Sequence, residues 1–214
     1  MRLVFDIQSL QSASRLRGIG RYTHSLISAL IAEHQEHEII LLVNGAFSDD
    51  HPRLVADFEA LYPGTQCAVC SLPGPSSADD PENRLREAVS ELIREAVVAE
   101  LEPDLVHIFS ALEGFEDNVV TSIGKLEAHY PVTATFYDLI PLLNPDQYLK
   151  SNPAFKVHYR KQLESLQRAD GLLAISQFSG AEAAEHLDYP EARVAVAPLG
   201  PLSVVEAVAD GEGH

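Results

Sequence analysis

Residues 2–7, Arg2-Leu3-Val4-Phe5-Asp6-Ile7, and residues 38–43, Glu38-Ile39-Ile40-Leu41-Leu42-Val43, are two strand-length apolar runs, and the segment between them decides the fold. There Tyr22, Leu26, Ala29 and Leu30 follow Gly20 at helical spacing, and the polar run Glu33-His34-Gln35-Glu36 ends the stripe. The second run stops at the turn pair Asn44-Gly45. This is one strand-helix-strand unit, and both strands read as buried.

The pattern repeats along the chain. Strand-like runs recur at 66–71, 104–109, 131–136, 171–175 and 193–197. A helix is expected after Asp80, with Asp80 as N-cap, Pro81 at the first helical position and Leu85, Val89, Leu92, Ile93, Ala96 and Val97 as its apolar stripe. Pro103 closes it. Phe155, Tyr159, Leu163 and Leu166 mark another helix over 153–169, and Ser176 caps one reaching about Leu187. Strands buried on both faces and alternating with helices predict an α/β, Rossmann-like, doubly wound and mostly parallel sheet. Its ligands are expected at the carboxyl ends of the strands.

With 214 residues, 46% of them hydrophobic, the chain can bury a full core without metal or disulfide. No apolar run approaches the roughly 20 residues that span a bilayer. Asp6 interrupts the stretch a signal peptide would need, so a cytoplasmic location is expected. A formal charge of -17 opposes binding to nucleic acid. Cys67 and Cys70 are separated by an odd step along a strand, which points them to opposite faces, too far apart for a disulfide.

Three strand ends carry candidate chemistry. After the first strand, a polar loop from Gln8 to Arg17 leads into Arg17-Gly18-Ile19-Gly20-Arg21-Tyr22. First-turn amides beside Gly18 and Gly20 suit an oxygen-rich or anionic group, although a plain loop closing onto a helix fits equally well. A dinucleotide fingerprint would need glycine or alanine at Thr23 and an acidic residue at Asn44. After the fourth strand, Ser110 and Glu113 can hold sugar hydroxyls or cap a helix. His107, within that strand, reads as a hydrogen-bonded core residue. After the fifth, Asp138 in Phe136-Tyr137-Asp138-Leu139-Ile140-Pro141 can orient or deprotonate a hydroxyl, or serve as a turn residue. No metal site is read: Asp-x-Asp and His-Glu-x-x-His are absent, and His34 and His37 sit in a polar segment without further ligands.

Taken together, the chain resembles bacterial glycosyltransferases of family four, especially mannosyltransferases that build O-antigen and other lipopolysaccharide or surface polysaccharides. The resemblance rests on residues 17–22, then Leu105-Val106-His107-Ile108-Phe109-Ser110-Ala111-Leu112-Glu113-Gly114, then Tyr137-Asp138-Leu139-Ile140-Pro141, then residues 168–179, and spans about residues 2 to 200. It implies one half of a GT-B enzyme: two Rossmann-like domains, retention of anomeric configuration and no cofactor or bound metal. Residues 1–200 would be the N-terminal, acceptor-side domain and 201–214 a linker or tail. The donor, GDP-mannose first among nucleotide sugars, would be held mainly by a C-terminal domain absent from this sequence. The isolated domain would then be inactive, and the whole enzyme could sit peripherally on the inner face of the membrane.

By the same resemblance Gly18, Gly20 and Arg21 lie near donor phosphates and acceptor, and Tyr137 and Asp138 on the acceptor side. Tyr137 stands where many members carry histidine. The partners implied are a saccharide acceptor and the nucleotide sugar, with no nucleic acid and no transmembrane segment. The alternative is a non-catalytic module that binds a glycan or a protein.

Overall fold

Apolar runs without strict alternation belong in strands covered on both faces, and in parallel sheets the covering is done by the crossover helices. The computed structural model describes residues 1–47 and 51–198, and there the runs form seven strands. These are β1 (Arg2–Asp6), β2 (Glu38–Asn44), β3 (Gln66–Cys70), β4 (Leu105–Ile108), β5 (Val132–Phe136), β6 (Gly171–Ala174) and β7 (Val194–Val196). They lie in one sheet of order β3-β2-β1-β4-β5-β6-β7, and every pairing is parallel. The expected mostly parallel sheet is thus wholly parallel among the described residues.

Two helices, α1 (Gly18–Glu33) and α2 (His51–Leu61), cover one face. Their Ile27 and Phe58 join Phe5, Ile7, Leu41, Val43 and Phe109 in one core. No helix is anticipated between β2 and β3 in the sequence, yet Leu54, Phe58 and Tyr62 at four-residue spacing carry its signal. On the other face lie α3 (Arg84–Glu100), and, after the one-turn helices α4 (Ile140–Leu143) and α5 (Pro145–Tyr148), α6 (Pro153–Leu166) and α7 (Gln177–Leu187). Their Val98, Tyr159, Leu163, Leu166 and Ala183 pack on Val4, Leu42, Val106, Ile108 and Phe136. Cys67 and Cys70 fall in the two separate cores and are both free thiols. Among the described residues no helix is long and apolar enough to cross a membrane.

The helix after Asp80 is present, but its inward face is not the expected one. The Asp80 carboxylate accepts the Glu82 N–H at 2.9 Å, capping a 3-10 turn over Pro81–Asn83 that leads into α3. Leu85 is 76% exposed and Leu92 44%, while Ser90, Glu91, Arg94, Glu95 and Val98 are buried. Of the expected stripe only Ile93 and Val97 pack against the core.

The cause is long-range. Arg94 donates from Nε to Asp6 Oδ2 at 2.6 Å, with Nη2 2.5 Å from the same oxygen, and both side chains are about 2% exposed or less. Its Nη1 reaches the Ser122 carbonyl at 3.2 Å. Glu95 accepts from the Ser122 hydroxyl at 2.6 Å and the Leu126 N–H at 2.7 Å, and Glu91 pairs with Lys125 and Lys161. A buried charge is tolerated only when paired and hydrogen-bonded, so turning this face outward would strand Asp6 in the core.

Arg94→Met should therefore lower unfolding stability by about 3–5 kcal/mol, the usual cost of leaving one buried charge bare. Asp6→Asn with Arg94→Met should recover part of that loss, because the carbonyl of asparagine still serves Gln8. Urea denaturation of the two variants beside the parent chain checks both expectations.

Candidate functional site

In a doubly wound sheet the crevice for a ligand opens where the winding reverses, here between β1 and β4. The loop leaving β1, expected as a long polar loop, is folded into two 3-10 turns, Gln8–Leu10 and Ala13–Leu16, and Gln8, Ser9, Leu10, Gln11 and Ser12 are buried. Hydrogen bonds explain how polar residues can lie there. Gln8 Nε2 donates to Asp6 and to the Val120 carbonyl, and its Oε1 accepts from Asn44 Nδ2 at 2.9 Å and the Val120 N–H at 3.0 Å. Gln11 pairs with the Asn44 backbone in both directions, at 2.7 and 3.0 Å. Asn44, where a ribose-binding acid would stand, is consumed by this network, and Thr23 is fully buried against Ser9. The dinucleotide reading thereby loses both of its test positions.

The loop delivers the chain to the start of α1, and its two glycines do different things. Gly18 is exposed, and a Cβ there would meet nothing within 4 Å. Gly20 is buried, and a Cβ there would lie 2.4 Å from Arg15 backbone atoms. The close approach that Gly20 permits is therefore the chain's own. Arg17 at the cap position supplies no side-chain bond to the first turn, and Arg17 and Arg21 are both exposed. The helix start thus offers amides and positive charge on an otherwise acidic chain.

After β4 no helix begins, so helix capping by Ser110 or Glu113 is excluded. The Ser110 hydroxyl donates to the Glu113 carboxylate. The Glu113 carbonyl accepts from His158 Nε2 and Gln162 Nε2, both at 3.1 Å, which anchors the turn to α6. Gly114 follows with φ +96, and a Cβ there would lie 2.4 Å from the Val119 carbonyl oxygen. Burial holds the Glu113 carboxyl above the usual carboxylate range, although the hydroxyls of Ser110, Ser14 and Ser12 pull the other way. His107 is the core residue expected: its two nitrogens lie 2.8 and 2.9 Å from the hydroxyls of Thr133 and Thr135, and burial lowers its pKa to about 4.

After β5, the Tyr137 ring meets the Tyr22 ring of α1 edge to face at 5.8 Å. Its buried hydroxyl lies beside Thr23, and burial raises its pKa. The Ser179 hydroxyl fixes the Tyr137 carbonyl at 2.7 Å, while Ser176 caps α7 as expected. Asp138 is half-buried, and its Oδ1 accepts the Ile140 N–H at 3.0 Å, so the turn role is real. The Tyr22 hydroxyl donates to the Ala197 carbonyl at 2.8 Å, bringing the end of β7 to the same rim.

The α1 start, Glu113 and Tyr137 are thus gathered at one edge, although 24 residues part Glu113 from Tyr137 and more than 90 part both from Tyr22. Tyr137, beside Asp138, meets α1 through its ring. Ser12 and Ser14, which face Glu113, are missed by motif reading; the serine spacing Ser9, Ser12, Ser14 in the loop is their only trace.

Two Escherichia coli proteins, each a serotype-specific mannosyltransferase WbdA, are similar in sequence. One is 32% identical over 195 residues, 91% of this chain and 23% of that protein. Another is 30% identical over 167 residues, 78% of this chain and 20% of that protein. The chain therefore spans about a quarter of the length of these relatives. A glycosyltransferase from Rickettsia africae aligns structurally over 93% of this chain and 43% of its own, with a TM-score of 0.42 and 16% identity, too distant to assign residues. The model of Glycosyltransferase Family 4 matches residues 16–200. With most of its length inside that match, the chain belongs to Glycosyltransferase Family 4.

Proposed function

We propose that the chain is the acceptor-side half of a retaining, two-domain glycosyltransferase that moves a hexose, mannose, from GDP-mannose to a growing polysaccharide at the cytoplasmic face of the membrane. The observation that carries this reading is the convergence, at the switch point, of Glu113 with Ser12 and Ser14 and of Tyr137 with Tyr22 of the glycine-led helix. The mannosyltransferase name of the Escherichia coli relatives supports the choice of sugar.

Each residue then has a physical part. The uncapped first turn of α1, with Arg17 and Arg21 exposed around Gly18, suits the diphosphate side of the donor. Ser110 and Glu113 hold acceptor hydroxyls through a hydroxyl and a carboxylate already oriented on each other. Asp138 spends Oδ1 on the turn, so Oδ2 is the oxygen offered to the attacking hydroxyl. The donor sugar itself is read mainly by residues outside this chain.

Asp138→Asn keeps the Oδ1 bond to Ile140 and removes only the charge. In the full two-domain enzyme it should lower kcat roughly 100-fold or more, the usual worth of a positioned base, with acceptor binding and melting temperature unchanged. Unchanged kcat would instead leave the chain as a glycan- or protein-binding module. A second expectation concerns pH. Because burial keeps Glu113 protonated above the ordinary carboxylate range, acceptor affinity should fall as pH drops through that raised pKa. Glu113→Gln should abolish this acid limb in KM measured against pH. Finally, Gly20→Ala should cost about 1–3 kcal/mol in urea unfolding through its clash with Arg15, whereas Gly18→Ala should stay within about 0.5 kcal/mol and raise KM for the donor.

A further inference from the structure

At the opposite end of the sheet from the candidate site, α1 ends at His34 and a tight turn leads into β2. The His37 N–H donates to the His34 carbonyl at 3.1 Å, which closes the turn and stacks the two imidazoles at 5.8 Å with 12° between planes. Glu36 lies between them: its Oε1 is 3.3 Å from His34 Nδ1 and 3.7 Å from His37 Nε2. One ligand atom from each of the three residues lies within 4.8 Å of the others. Sequence reading leaves the two histidines without a further ligand, because it does not show that the turn places Glu36 against both rings.

We propose that His34, Glu36 and His37 form a binding site for a borderline divalent cation of the zinc type, with a fourth position open to water. Tetrahedral zinc with nitrogen and oxygen ligands at about 2.0–2.2 Å holds neighbouring donors roughly 3.4 Å apart, close to both spacings found here. Two imidazoles and one carboxylate select zinc, cobalt, nickel or copper over magnesium and calcium, which favour all-oxygen shells. His37 Nδ1 is buried, so Nε2, which faces the carboxylate, is the nitrogen an ion arriving from solvent can reach. A groove of about 580 Å³, lined by His34, His37, Tyr62 and Pro63 among others, opens beside the cluster and gives room for the fourth ligand. The chain's charge of -17 adds a general attraction for cations. Bound here, the ion fastens the end of α1 to the start of β2 and takes no part in sugar transfer at the other edge.

The test titrates the untagged 214-residue protein with Zn2+ by calorimetry and with Co2+ by visible absorption. The expected result is saturation at one ion per chain, a melting temperature raised by zinc, and no saturable binding of Mg2+. His34→Gln and His37→Gln should each weaken zinc at least tenfold and remove the thermal shift, with circular dichroism unchanged because the turn is at the surface. His129→Gln, an exposed histidine elsewhere, should leave binding as it is. Absence of saturable zinc binding in the parent chain, or zinc binding retained by the doubly substituted His34→Gln/His37→Gln protein, would overturn the proposal.

Discussion

The buried pair of Asp6 and Arg94 sets the arrangement of everything at the carboxyl edge. Asp6 closes β1 at the point where the sheet's winding reverses, and Arg94 reaches it there from α3 as its buried partner. Once that pair is made, the polar face of α3 is committed inward. Glu95 and Glu91 then fasten residues 111–131, a long crossover without a helix of its own, through Ser122, Leu126 and Lys125. The remaining Asp6 oxygen holds Gln8, and Gln8 in turn holds Asn44 and Val120. The loop after β1, the end of β2 and the 111–131 crossover are thus tied to one carboxylate through Gln8.

That network also ties the rim together through buried hydrogen bonds. Sugar hydroxyls are discriminated by donors and acceptors whose own positions do not shift, since a site ordered beforehand loses less entropy on binding. The Glu113 backbone is placed by Gly114 on one side and by His158 and Gln162 on the other, so it is held by α6 as much as by β4, while its carboxylate accepts from Ser110. Tyr137 is placed by Ser179 and Tyr22. The helices of one face and the first helix of the other therefore meet through side chains at the same edge.

The strands, α1, α6 and α7 are legible in the sequence because each is governed by local periodicity, and α7 by its cap as well. Strand ends differ from the expected runs by at most one residue, and Ser176 caps α7 as its type suggests. The inward face of α3 was not legible, because it depends on a partner 88 residues away. Helix α2 carries only a short apolar signal, Leu54, Phe58 and Tyr62. At the site, residue types at strand ends pointed to the right loops, yet spacing alone could not tell that Gly20 serves the chain's own backbone and Gly18 does not. Nor could it show that Ser12 and Ser14 return over Glu113, since only the folded loop brings them there.

The central claim is that three separate strand-end segments form one saccharide site. It is tested most directly by amide chemical shifts of the labelled chain titrated with a mannose-containing primer oligosaccharide. The account requires Gly18, Glu113, Gly114, Tyr137 and Asp138 to move together with a single dissociation constant. Saturable shifts confined to the amino ends of the strands, or different constants for these segments, would contradict it.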